Sequence, residues 1–336
     1  MTSARRIAVV GAGSWGTALA VIAARVGHDV RLWSRDHYVV ESINRSHFNP
    51  KHLSKITLPD KVIATSELRD VLEESTLILI AVPSHAAREV LTSIQPYVST
   101  SSTVVSVTKG MEIETRLRIS EVVYELLGAG FQDRFVCLSG PSFALEVVED
   151  HPTAIVAASS DLNAAREVQT ALSFANLRIY TNSDVVGTEL CGSVKNVMAI
   201  AAGMIAGLGL GSNSVAALIT RGLAEMTRLV LKCGGHFETM VGLAGLGDLV
   251  LTCTGQLSRN RFVGEQLGQG KTLNEITAGM NEVAEGIRTS RAVKRLADEA
   301  GVEMPITNEV VAVLYEDKSP SEAVKRLMSR PLRAEI

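Results

Sequence analysis

Aromatic residues are scarce in this chain: they make up 4% of its 336 residues, so its cores must be packed from aliphatic side chains. Neither sign of charge is in large excess, with 33 Lys and Arg against 36 Asp and Glu. The formal net charge is −3 and only 21% of residues are charged, which leaves no global basic field to draw in nucleic acid. The cysteines Cys137, Cys191, Cys233 and Cys253 lie far apart, without a Cys-x-x-Cys pair. That argues against a disulfide framework or a zinc site and for reduced core thiols. The seven histidines show neither His-x-x-x-His nor Glu-x-x-His spacing, so no metal is expected. No run reaches the length of a membrane span, and the most apolar stretch, 197–210, holds three glycines and reads as a buried helix. The N-terminus enters a strand without a leader-like apolar stretch. The expected setting is therefore the cytoplasm, with no membrane and no nucleic acid as partner.

What is abundant is hydrophobicity, 46% of the chain, at a length that suits two domains better than one. The first half alternates apolar strand-like runs with helical patterns. Strands are expected at 7–10, 29–33, 77–82, 103–107, 135–138, 153–158 and 177–180, several of them continuous apolar runs of the kind found in parallel strands covered on both faces. From about residue 184 the pattern becomes helical throughout. The expected fold is α/β: a Rossmann-type, doubly wound, mostly parallel sheet over 1–188, followed by an all-α substrate-binding domain over 189–336.

The first strand runs directly into Gly11-Ala-Gly13-Ser14-Trp15-Gly16 and then into an apolar helix. That context turns a weak glycine pattern into a dinucleotide-binding fingerprint. Gly11 allows the tight turn, Gly13 lets backbone approach a pyrophosphate, and Gly16 lets helix and strand pack closely, with the helix N-terminus offering N–H groups to the phosphates. The second strand ends Trp33-Ser34-Arg35-Asp36, so the acidic position expected for an NAD ribose is taken by Ser34. A guanidinium at Arg35 suits a 2′-phosphate. A solvated Arg35 beside an Asp36 that serves the ribose is the other reading. NADP(H) is favoured, with NAD(H) use left open.

A nicotinamide enzyme that acts on an alcohol needs a base for the hydroxyl proton. Lys195 is a lone cation in a long run of small and apolar residues, where desolvation would draw its pKa down. A lysine snorkelling from a core helix is the bland alternative. Asp248, among glycines and leucines, could be a helix N-cap, and Ser258-Arg259-Asn260-Arg261 a surface turn.

Taken in order along the chain, these elements resemble the NAD(P)-dependent glycerol-3-phosphate dehydrogenases of the bacterial biosynthetic type. The motifs are Gly11-Ala-Gly13-Ser14-Trp15-Gly16-Thr17-Ala18, Ser106-Val107-Thr108-Lys109-Gly110, Ser139-Gly140-Pro141-Ser142-Phe143-Ala144, Val194-Lys195-Asn196, Gly245-Leu246-Gly247-Asp248 and Ser258-Arg259-Asn260. The resemblance implies reduction of dihydroxyacetone phosphate to sn-glycerol 3-phosphate for phospholipid synthesis, by a homodimer. It implies Lys195 as the proton acceptor, with Lys109, Asp248 and Asn196 also in the catalytic set. It assigns Lys109, Gly140, Ser142, Lys195, Asp248, Ser258, Arg259 and Asn260 to the substrate. To the cofactor it assigns Gly11, Gly13, Ser14, Trp15, Gly16, Arg35, Lys109, Ala144, Arg259, Val283 and Glu285. Glu285 could equally be a helix-start carboxylate. Two other readings stay open on residues alone: a reductase of 3-hydroxy acids or ketopantoate-like substrates, and a catalytically silent NADP-binding sensor.

Overall fold

Eight short strands, most of them aliphatic and buried, form one sheet. The computed structural model describes residues 4–280, 284–332, 334 and 335. The strands are β1 (Arg6–Val10), β2 (Asp29–Trp33), β3 (Val62–Thr65), β4 (Leu77–Ile80), β5 (Thr103–Ser106), β6 (Phe135–Ser139), β7 (Thr153–Ala158) and β8 (Leu177–Asn182). Their order is β3-β2-β1-β4-β5-β6-β7-β8. Every neighbouring pair is parallel except β6 and β7, which run antiparallel. β1, β4 and β5 sit in the middle and are buried almost end to end, which accounts for their continuous apolar sequences. β3 was not anticipated. It is a four-residue edge strand with alternating exposure, too short to leave a period in the sequence.

The register aligns the carboxyl ends that matter. Val10 lies opposite both Trp33 of β2 and Ile80 of β4, so Gly11, Ser34 and Ala81 leave the sheet at one level. Strand order reverses between β1 and β4, which is where open α/β sheets take their ligands.

The chain divides into two compact units, one comprising 1–112 and 117–189, the other 113–116 and 190–336. The described residues of the second unit form helices and turns and no strand. Its central helix, Val185–Gly207, is long and apolar enough to cross a membrane by composition, yet most of it is buried inside the protein.

Glycine explains how the second unit packs. On the central helix, a Cβ at Gly203 would stand 2.0 Å from the carbonyl oxygen of Arg261, and one at Gly207 2.2 Å from that of Glu265. The facing helix, Arg259–Gly268, answers in kind: a Cβ at Gly264 would meet the Ile200 oxygen at 1.9 Å and one at Gly268 the Met204 oxygen at 2.5 Å. Two glycines four residues apart on each helix therefore bring two backbones into contact. The small residues of these helices are thus occupied by each other.

Gly264→Ala should destabilise the protein by about 3 kcal/mol, because the obstacle is backbone and cannot turn aside. Gly130→Ala, with open space around the added methyl, should be near neutral. Thermal unfolding of the two variants checks both.

Candidate functional site

In the first unit the glycine turn adopts the geometry its spacing implies. Gly11 has φ +120°, and a Cβ there would stand 2.5 Å from the Ala81 carbonyl oxygen. A Cβ on Gly16 would stand 1.9 Å from the Gly11 oxygen, so this glycine is what lets the helix Ser14–Val26 start against the turn. Gly13 is different: nothing lies within 4 Å of its missing Cβ. It is the N-cap, has no side chain to cap the first N–H groups, and no acid occupies the first turn. A helix N-terminus left open in this way fits a pyrophosphate. Ser14 Oγ lies 3.4 Å from His52 Nδ1, and half-buried Trp15 packs on the apolar core.

A residue that sequence reasoning missed holds this turn. Asn49 is fully buried and uses its whole carboxamide. Its Nδ2 donates to the Ala12 carbonyl and to Thr17 Oγ1, both at 2.9 Å, while its Oδ1 accepts the backbone N–H groups of Lys51 and His52, both at 3.1 Å. The segment after the second helix (His37–Ser46) is thereby clamped to the glycine turn. An asparagine in a loop carries no periodic signal, and only the fold places it here.

Arg35 is exposed and makes no ion pair among the described residues. Asp36 is engaged: its Oδ1 accepts the Tyr38 N–H at 3.0 Å, capping the second helix, and its Oδ2 pairs with Lys51. The Lys51 ammonium holds this carboxyl below the ordinary aspartate range.

At the far end of β5, half-buried Lys109 donates from Nζ to the Gly140 carbonyl at 3.1 Å, and Ser142 Oγ donates to the same oxygen at 3.0 Å. Gly140 has φ +131°, and a Cβ there would crowd Ile155 at 3.0 Å. Lys109, Gly140 and Ser142 thus meet around one carbonyl, and Ala144 opens the short helix that follows. Also in this unit, Glu189 is buried and accepts from Ser120 N–H at 2.8 Å, Ser120 Oγ at 2.5 Å and Arg118 Nη1 at 3.0 Å. Burial pushes its carboxyl up, while the Arg118 guanidinium draws it down. This anchor, six residues before Lys195 on the same helix, was also missed.

In the second unit Lys195 is 4% exposed and Asp248 1%. Lys195 Nζ lies 2.5 Å from Asp248 Oδ1 and 2.8 Å from Thr252 Oγ1. Desolvation is therefore not the only influence on the lysine, since the adjacent carboxylate favours its charged form. Neither bland reading of the two residues describes them: Lys195 does not snorkel, and the Asp248 side chain reaches Lys195. The reason is local. Leu243–Gly247 forms a single π-helical turn, and a Cβ on Gly245 would stand 2.2 Å from the Met240 oxygen. Asp248 follows at once, opening the helix Asp248–Thr254, which carries Thr252 one turn on. Such π turns recur where a side chain must be re-aimed. Buried Cys253 lies beside the pair, its thiol pushed up to about 12 by desolvation.

Ser258 caps the helix Arg259–Gly268, its Oγ accepting the Arg261 N–H at 3.2 Å, which leaves its hydroxyl hydrogen to donate elsewhere. Arg259 is the first residue of that helix. It keeps access to solvent, while desolvation draws its guanidinium down from the ordinary value and Glu285 pushes it back up. Asn260 Oδ1 accepts the Gly286 N–H at 2.9 Å, so it caps the helix Glu285–Ala300. Gly286 is pressed between Asn260 and the Asn196 backbone, each 2.7 Å from where its Cβ would be. Asn196, Asn260 and Glu285 are thereby gathered in one place. Val283 lies outside the described residues.

Known proteins resemble this chain over nearly its whole length. Models of the NAD-dependent glycerol-3-phosphate dehydrogenase family match the chain in both parts, the N-terminus model over residues 6–165 and the C-terminus model over 184–325. A glycerol-3-phosphate dehydrogenase (NAD(P)+) from Koribacter versatilis is 54% identical over 333 residues, which is 98% of this chain and 99% of that protein. One from Citrifermentans bemidjiense is 48% identical over 332 residues, 99% of each. The crystal structure of glycerol-3-phosphate dehydrogenase from Coxiella burnetii superposes with a TM-score of 0.93 at 43% identity, covering 97% of this chain and 99% of that one. A ketopantoate reductase from Ralstonia eutropha, at TM-score 0.57 and 17% identity, shares the fold alone.

Asn49→Ala should cost about 2 kcal/mol, since it leaves buried partners unsatisfied, and should loosen nucleotide binding; thermal unfolding and calorimetric titration measure the two effects. Cys253 should resist alkylation by iodoacetamide at pH 8 in the native state, because the thiolate is the nucleophile and burial suppresses it. Peptide mapping before and after unfolding checks this.

Proposed function

The chain belongs to the NAD-dependent glycerol-3-phosphate dehydrogenase family, and from that premise we propose how its residues divide the reaction. The protein is an NAD(P)H-dependent oxidoreductase that reduces dihydroxyacetone phosphate to sn-glycerol 3-phosphate, reversibly, supplying glycerophospholipid synthesis. The first unit carries the glycine turn for the nucleotide, and the second carries the proton-handling lysine. The observation that carries this reading is the buried Lys195–Asp248–Thr252 cluster, a proton-handling group with no counterpart in a protein that only senses a nucleotide.

The residues of the glycine turn fit a dinucleotide: the space at Gly13 and the uncapped helix start accept the pyrophosphate. When bound, the nicotinamide supplies the hydride for C2 of the three-carbon phosphate. Lys195, as an ammonium, donates a proton to the ketone oxygen in reduction and takes it back in oxidation. Asp248 holds Lys195 in place through Oδ1, and Thr252 fixes the ammonium from a second side. Arg259 carries the substrate phosphate, for which its bidentate fork is suited. The Ser258 hydroxyl hydrogen, the Asn260 amide and the start of the Arg259 helix join it. Asn196 adds a hydrogen bond near the reacting carbon. Lys109, Gly140 and Ser142, which meet at one carbonyl beyond β5, would contact the substrate, and Ala144 would help hold the cofactor. Arg35 takes the adenosine end and favours NADP(H). Glu285, and Val283 by resemblance, complete the cofactor contacts.

The working form is a homodimer in the cytoplasm. Four cysteines, none of them in a disulfide among the described residues, support a reducing compartment, and sedimentation velocity decides the oligomeric state.

Lys195→Met should lower kcat for dihydroxyacetone phosphate about a thousandfold while NADPH still binds; turnover near the native rate would remove Lys195 from its role. Arg259→Ala should raise KM for the ketone phosphate by about tenfold or more, through loss of charge-assisted hydrogen bonds. Steady-state kinetics with NADPH and NADH read both.

A further inference from the structure

The end of β2 poses a contradiction that the reaction alone does not explain. An acidic residue next to this strand end ordinarily serves the ribose hydroxyls of NAD and repels a 2′-phosphate. Asp36 stands there, beside an Arg35 that suits the 2′-phosphate.

The surroundings of Asp36 resolve it. Its Oδ1 is committed to the Tyr38 N–H as a helix cap and its Oδ2 to Lys51. Its backbone N–H donates to Ser34 Oγ at 3.2 Å. The carboxylate therefore has both oxygens engaged and its charge compensated.

Lys51 is not a stray surface cation. Its backbone N–H is held by Asn49 Oδ1 at 3.1 Å, and Asn49 is bonded to Ala12 in the glycine turn. One buried asparagine thus sets Lys51 at a fixed place relative to the phosphate-binding turn. The Lys51 side chain remains about half exposed, so it lies at a surface open to a ligand.

We propose that Lys51 is a coenzyme-selecting residue: it masks the charge of Asp36 and, with Arg35, presents a two-cation receptor for the 2′-phosphate of NADP(H). This rests on the coenzyme reading above and deepens it. Arg35 alone would face a neighbouring carboxylate and lose much of its attraction for a phosphate. With Lys51 bridging, the local sum is one positive charge instead of none. The acid stays because the second helix needs its cap.

Titration calorimetry on the full chain tests this with adenosine 2′,5′-bisphosphate and 5′-AMP, which differ only in the 2′-phosphate. The unmodified protein should prefer the bisphosphate. Lys51→Ala should cut that preference about tenfold, the scale of one charge-assisted hydrogen bond. Asp36→Asn in the Lys51→Ala background should restore most of it, since asparagine still caps the helix while carrying no charge. A preference untouched by Lys51→Ala, or a loss that Asp36→Asn does not repair, overturns the assignment. Equal binding of the two nucleotides by the unmodified protein overturns it as well. Failure of both to bind would instead remove the coenzyme reading itself, and the proposal with it. The ratio of kcat/KM for NADPH over NADH should follow the same order across the three proteins.

Discussion

Two opposite charges that face each other almost out of reach of water, the Lys195 ammonium and the Asp248 carboxylate, are the constraint around which the second unit is built. Neither could be buried alone, because an unpaired charge in that interior costs several kcal/mol. Together they are tolerable only at close range and with further hydrogen bonds, which Thr252 supplies. The demand falls on backbone. The π-helical turn at Leu243–Gly247 aims the aspartate, and the glycine seam between the central helix and the Arg259 helix fixes one backbone against the other. A chain that lost either would have to move one charge away from its partner. Chemistry and packing are thus the same requirement here.

The first unit meets a different demand: it must leave room. Gly11 and Gly16 are glycines because protein atoms crowd them, whereas Gly13 has open space where its Cβ would be. A single motif therefore contains two opposite reasons for the same residue type. Asn49 then fixes the turn from a loop whose sequence is unremarkable, and the same asparagine positions Lys51 against Asp36. The Lys51–Asp36 pair is in this way tied to the integrity of the glycine turn.

Much of this was legible in the residues. The central strands could be read because burial on both faces forces unbroken aliphatic runs. The nucleotide turn could be read because strand, glycines and helix follow one another without a gap. Lys195 stood out because a charge inside an apolar helix needs a reason. What escaped was of three kinds. β3 was too short for a period. Asn49, Thr252 and Glu189 are ordinary polar residues whose partners are remote in sequence or hidden by the fold: Asn49 meets the turn 37 residues back, and Glu189 meets Ser120 from 69 residues on. The glycines of the central helix were visible as small residues, but which surface they served was not.

By itself, then, the sequence determined the local elements and the chemistry they could carry, since strand burial, the glycine turn and a lone buried lysine are written in neighbouring residues. The tertiary structure decided which groups answer one another. It paired Lys195 with Asp248 from 53 residues away, it committed Asn260 to the start of the Glu285 helix, and it joined Asp36 to Lys51. Those choices depend on distances across the fold, and electrostatics and hydrogen bonding act only at such distances, whatever the separation along the chain.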